Sequence, residues 1–152
     1  KIHYGCPIAE EELGRRYRLN LTNRPFWLNN EFVFLGEIPE NKSADIDDTA
    51  LVHKTNEGIF IITGCSHSGI INIINYAKQV CRDERILGVL GGFHFLKKSE
   101  EELEEICSLM LKSGVNPEYP LYPCHCCDLK SKIIMSKFFN VQEVCTGDVL
   151  NC

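Results

Sequence analysis

No stretch of the 152-residue sequence approaches the roughly 20 consecutive apolar residues that cross a bilayer. The amino end, Lys-Ile-His-Tyr-Gly-Cys-Pro, also lacks the apolar centre of a signal peptide. Nor is there a long cluster of Lys and Arg, and 16 basic residues against 21 acidic ones leave a net charge of −5. These absences argue against a nucleic-acid footprint and against an anionic membrane surface, so small molecules or proteins are the expected partners. Compositional bias toward disorder or collagen is missing too, with 44% hydrophobic and 24% charged residues. Residues 1–152 are expected to form a single globular domain with a real core.

Cysteine is abundant. Nine is an odd number, so a fully paired disulfide framework would leave one thiol over. With no sign of secretion, the expected compartment is cytoplasmic and the thiols are expected reduced, which turns attention to metal binding, redox chemistry or packing. Cys6, Cys81, Cys107, Cys145 and Cys152 read most simply as small buried hydrophobes or surface thiols.

Along the chain, Pro7 followed by Glu10, Glu11 and Glu12 suits the start of a two-turn helix. Tyr17, Leu19 and Leu21 alternate like a half-buried strand, and Phe32 to Leu35 form another. Asp45, Asp47 and Asp48 end a polar loop. Ala50 to Val52 and Ile59 to Ile62 form a hairpin turned by Asn56-Glu57-Gly58. The spacing of Ile70, Ile71, Ile73, Ile74 and Ala77 then predicts a helix through Val80. Ile86 to Leu90 is a buried strand. Ser99 and Glu102 form a capping-box pattern before the apolar face Leu103, Ile106, Cys107, Met110 and Leu111, and Gly114 stops that helix. Leu121 and Tyr122 lie on a short strand, Lys130 to Phe139 form a last helix, and Val141 to Val144 a terminal strand.

One theme recurs: a strand, a turn carrying a histidine, then a helix. It occurs at His67, His94 and His125, with no close repeat in the residues themselves. Turns at the same ends of neighbouring strands share one rim, and a metal is the economical reason to gather imidazoles there. Taken singly, each histidine is equally well a hydrogen-bonded loop or core residue. His3 and His53 read as structural or exposed. Cys65 shares the first turn with His67, and Asp48 is the favoured member of its acidic cluster, as ligand or general base. Cys124-His125-Cys126-Cys127 is rich in soft donors, but no second Cys-x-x-Cys half completes a structural zinc knuckle. Cys124 and Cys127 also have the spacing of a redox pair.

Four segments, Asp47-Asp48-Thr-Ala-Leu-Val, Ile-Thr-Gly-Cys-Ser-His-Ser-Gly-Ile-Ile-Asn, Leu-Gly-Gly-Phe-His-Phe and Pro-Cys-His-Cys, together resemble the carboxy-terminal half of the metallo-β-lactamase-fold metal-dependent hydrolases. Within them the similarity is to the branch of dihydropterin ribofuranosyl-aminobenzene-phosphate synthase-like proteins, from about Gly36 to Gly147. The resemblance implies an α/β fold, the carboxy-terminal part of an αββα sandwich. It implies a divalent metal, zinc first with manganese, iron or magnesium as alternatives, held by His67, His94, His125 and Cys65, with Cys65 and His67 competing for one position and Asp48 as a catalytic candidate. The implied reaction is attack of metal-activated water on a phosphorylated or ester-like small molecule.

The family's main metal motif, His-x-His-x-Asp-His, is absent from the sequence. The chain, which begins at Lys1, is therefore expected to be the carboxy-terminal portion of a larger domain. Two alternatives stand beside it. One is a non-catalytic or split half that binds a chain carrying the other half, or another copy of itself; the other is a thiol redox protein using Cys124 and Cys127.

Overall fold

The computed structural model describes residues 15, 22–39 and 48–150. The expected helix after Pro7, the alternating segment at Tyr17 to Leu21, and Asp45, Asp47, His3, Cys6 and Cys152 lie outside the described residues. Among those described, seven strands form one sheet in chain order, β1 (Phe26–Trp27), β2 (Phe32–Phe34), β3 (Ala50–Lys54), β4 (Ile59–Thr63), β5 (Ile86–Gly91), β6 (Pro120–Pro123) and β7 (Asn140–Val141). Strands β1 to β4 are mutually antiparallel, whereas β4 to β7 run parallel.

Each parallel connection carries a helix: α1 (Ile70–Cys81), α2 (Glu100–Lys112) and α3 (Leu129–Met135). Because the parallel strands are laid down in sequence without reversal, right-handed crossovers place all three helices on one face. The register aligns Val33, Val52, Ile61, Val89 and Leu121 in one row across the sheet, and every one is fully buried. Against this row pack Ile73, Ile74 and Ala77 of α1 and Leu103, Cys107 and Met110 of α2, the faces set by helical spacing. Each fully buried aliphatic chain of this kind contributes about 1.5 to 3 kcal/mol. No helix among the described residues is long and apolar enough to cross a membrane.

Local signals act where expected. Thr55 N–H donates to Gly58 O at 2.8 Å and closes the β3–β4 turn. Ser99 caps α2, accepting from Glu102 N–H at 3.2 Å while its own N–H donates to the Glu102 carboxylate at 2.7 Å. Two expectations are corrected. Helix α3 ends at Met135, because the chain tightens into i→i+3 bonds from Lys137 to Ile134 and Phe138 to Met135; Phe139 still reaches the core, which is why the apolar spacing reads as helix to its end. The terminal strand is Asn140–Val141, paired with Pro120 and Leu121, and by Glu143 the chain has left the ladder for an ion pair with Lys132 at 2.9 Å. Strand β1 is additional, hidden in sequence by Asn23, Pro25, Asn29 and Asn30.

Candidate metal centre

Strands β4, β5 and β6 run parallel, so their carboxyl ends open on one rim, and the three turns that follow are laced together there. Gly92 N–H donates to Gly64 O and Cys124 N–H to Gly91 O, both at 2.8 Å. The ladder thus continues one step past the strands. Gly91 makes this possible: at φ 145° it lies against Thr63, where a side chain would collide with the β4 backbone. A further bond from Phe95 N–H to Cys126 O, 2.8 Å, ties the second turn to the third.

Each turn holds a non-glycine residue in the left-handed region: Ser66 (φ 62°), His94 (φ 55°, with Lys97 at φ 63° further along the same connection) and Cys126 (φ 58°). Such residues cost about 1 to 2 kcal/mol apiece and persist only where their surroundings fix them. Ser66 is buried, with its carbonyl accepting from Gly69 N–H at 3.0 Å. His94 stands exposed between Phe93 and Phe95, which are buried and meet edge to face at 5.8 Å.

The donors fall into two groups. In the first, Cys65 Sγ lies 3.0 Å from His125 Nε2 and 3.9 Å from Cys126 Sγ, although His125 is 60 residues away in sequence. In the second, His67 and His94 meet edge to face with ring centroids 5.0 Å apart, and His67 Nδ1 is 3.6 Å from Asp48 Oδ1. Asp48 is 7% exposed and its other oxygen accepts from Ser68 N–H at 2.5 Å. The groups adjoin, since burial, the Cys126 thiol and the negative charge of Asp48 all push the Cys65 thiol above its ordinary pKa.

A solved metal-dependent hydrolase of the β-lactamase superfamily superposes with a TM-score of 0.75 at 27% identity, covering 88% of this chain and 58% of that one. The chain shares the fold of that β-lactamase-superfamily hydrolase. Among curated relatives, an uncharacterized protein of Methanocaldococcus jannaschii is 26% identical over 144 residues, covering 86% of this chain and 54% of its own. A 7,8-dihydropterin-6-methyl-4-(β-D-ribofuranosyl)-aminobenzene-5′-phosphate synthase of the same organism is 26% identical over 93 residues, 61% of this chain and 31% of its own. The chain therefore spans about half the length of one and a third of the other. No protein-family model matches it.

The residue types at the rim of this chain suit a metal. The ligand atoms of Cys65, His125 and Cys126 all lie within 4.8 Å of one another. A tetrahedral ion with bonds near 2.3 Å to sulfur sets its thiolates about 3.8 Å apart, and the two sulfurs are 3.9 Å apart. The Cys65–His125 contact is a direct one and would open by roughly half an ångström around such an ion. The Asp48 carboxylate faces His67 Nδ1 at 3.6 Å, a contact longer than a hydrogen bond.

Beside His67 and His94 a cleft of about 520 Å³ opens between the start of α1 and α2. Its polar wall includes Ser68, Asn72 and Lys98.

The structure thus brings all five sequence candidates, Asp48, Cys65, His67, His94 and His125, to one rim. It adds Cys126, which nothing in the spacing singled out. Of its neighbours, Cys124 Sγ donates to Tyr122 O at 3.4 Å, and the thiol of Cys127 is raised in pKa by burial.

Proposed function

We propose that the chain is the carboxy-terminal portion of a metal-dependent hydrolase, one domain with segments outside this sequence, and that its divalent metal is held at two adjoining donor groups, Cys65 with His125 and His67 with His94. The observation that carries this is the convergence of three separate β-strand turns on one rim, Cys65 and His125 touching at 3.0 Å and the His67 and His94 rings at 5.0 Å. The solved superfamily member supports it by its own description as a metal-dependent hydrolase, and the curated synthase, by its name, is associated with a phosphorylated small molecule. When bound, such an ion supplies Lewis acidity that brings deprotonation of water toward neutral pH.

The chain's own residues do the positioning. Asp48, with one oxygen held by Ser68 N–H, keeps the other on the Nδ1 side of His67, where its charge favours a proton on that nitrogen. The cleft next to His67 and His94 orients the substrate, a phosphorylated or ester-like small molecule, with Lys98 and the first-turn N–H groups of α1 to meet an anionic group. The test is metal content. His67→Ala and His125→Ala should each lose metal relative to the wild-type chain while keeping its circular dichroism, and unchanged stoichiometry in both would show that these residues are not ligands.

A further inference from the structure

Three features of Cys126 point the same way. Its Sγ is 3.9 Å from Cys65 Sγ, nearly twice the roughly 2.05 Å of a disulfide but close to the separation of two thiolates on one tetrahedral ion. Its backbone is held in the left-handed region at φ 58°, with the carbonyl fixed by Phe95 N–H at 2.8 Å. That conformation sets the direction in which the side chain leaves the turn, and it is one that a residue with a Cβ adopts only under such restraint. Finally, the third donor atom of the trio, His125 Nε2, belongs to the adjoining residue and also touches Cys65.

We propose that Cys126 is a metal ligand, completing with Cys65 and His125 a two-sulfur, one-nitrogen donor set that selects a thiophilic divalent cation of the zinc and cobalt kind over magnesium or manganese. The selectivity follows from donor softness, since thiolate and imidazole suit zinc whereas magnesium and manganese take oxygen ligands. This rests on reading the three turns as a metal centre, and it narrows the class of metal that centre takes.

The experiment is an anaerobic titration of the reduced, metal-stripped chain with Co(II), whose sulfur-to-cobalt charge-transfer absorption reports thiolate ligation independently of activity. Wild type should show the band, Cys126→Ser should keep roughly half its intensity per bound cobalt because one of two thiolates remains, and Cys124→Ser should match wild type. A second measurement needs no variant. Zinc-loaded wild type should be protected from alkylation at Cys65 and Cys126 while exposed Cys145 reacts freely. Full band intensity in Cys126→Ser, or alkylation of Cys126 undiminished by zinc, overturns the assignment of Cys126 and leaves the metal centre standing. No cobalt uptake by the wild-type chain overturns the metal centre itself, and this proposal with it.

Discussion

Gly92 offers a way to move His125 without touching it. A Cβ at this position would lie 2.6 Å from His125 Nε2, 2.9 Å from its Cδ2 and 2.9 Å from its carbonyl oxygen. Gly92 is outside the left-handed region, so alanine costs the backbone nothing and the whole effect is steric. Ordinary contact begins near 3.5 Å, so the ring must retreat by roughly 0.9 Å. The carbonyl can yield less, because the turn is tied to β5 by Cys124 N–H to Gly91 O at 2.8 Å. A retreat of that size away from Cys65 would stretch the 3.0 Å Cys65–His125 contact to roughly 3.9 Å, beyond the roughly 3.5 Å that sulfur and nitrogen donors on one tetrahedral ion keep between them. Gly92→Ala should therefore cost about 1 to 3 kcal/mol from overpacking, or roughly 2 to 12 °C in Tm. It should also weaken zinc binding by about 10-fold or more, through a displaced ligand. Competition against a chromophoric chelator reads the second effect and thermal unfolding the first. Gly64→Ala is the matched control: it sits in the neighbouring turn, has no described atom within 4 Å of the added methyl, and should change stability by less than about 0.5 kcal/mol. Wild-type zinc affinity in Gly92→Ala, alongside a loss in His125→Ala, would refute the steric reasoning.

Other perturbations test the frame around the rim. Ser131 is fully buried, and its hydroxyl lies 2.7 Å from Asp128 Oδ1 and 3.1 Å from Phe95 O, linking the cap of α3 to the His94 turn. Ser131→Ala should lower the denaturation midpoint by the equivalent of about 1 to 3 kcal/mol at constant m-value, the cost of leaving the Phe95 carbonyl with only the 3.4 Å bond from Lys98 N–H. A loss below about 0.5 kcal/mol would mean that water replaces the hydroxyl. Between α1 and β5, the Arg85 guanidinium, 2.8 Å from Asp83, holds that carboxyl down at about 2. A depressed folded-state value means the stabilisation is complete above the unfolded carboxyl pKa near 3.9 and is lost as pH falls toward 2. Because Arg85 is 60% exposed, solvent screening keeps the gain small. The stability gap between wild type and Asp83→Asn should close between about pH 5 and pH 2; a pH-independent gap would assign the effect to something other than the ion pair.

How much was legible from the sequence depended on how local the cause is. The α1 face, the Ser99 capping box and the Asn56 to Gly58 turn are written within a few residues, and they form as written. The arrival of three turns on one rim was also readable, because parallel strands in sequential order leave their carboxyl ends on one side. The pairing within the rim was not. Cys65 meets His125 and Cys126, while His67 meets His94, and a linear spacing cannot say which side chain a turn sends which way. In Cys124-His125-Cys126-Cys127 the eye is drawn to the outer pair, whereas the left-handed backbone at Cys126 presents the inner thiol.

The second face of the sheet carries the same logic to the scale of the whole domain. Strands β4 and β5 read Ile-Phe-Ile-Ile and Ile-Leu-Gly-Val-Leu, continuous apolar runs of the kind found where both faces are covered, not the alternation of a sheet with one wet side. The helices account for one face. On the other, the register lines up Phe34, Leu51, Ile62, Leu90 and Tyr122 in a second apolar row. Four of these five are only half-buried among the described residues, and Tyr122 alone is 8% exposed. A row of that kind beside water forgoes much of the burial that its sequence is written for, about 25 cal/mol for each Å² left exposed. The chain spans little more than half of its solved neighbour, so the simplest cover is the remainder of an αββα sandwich, packed on this row. The rim stands at the end of the same strands. On the proposed reading, a layer packed on the second face would therefore also overhang the donors, tying the apolar row and the metal centre to the same cover.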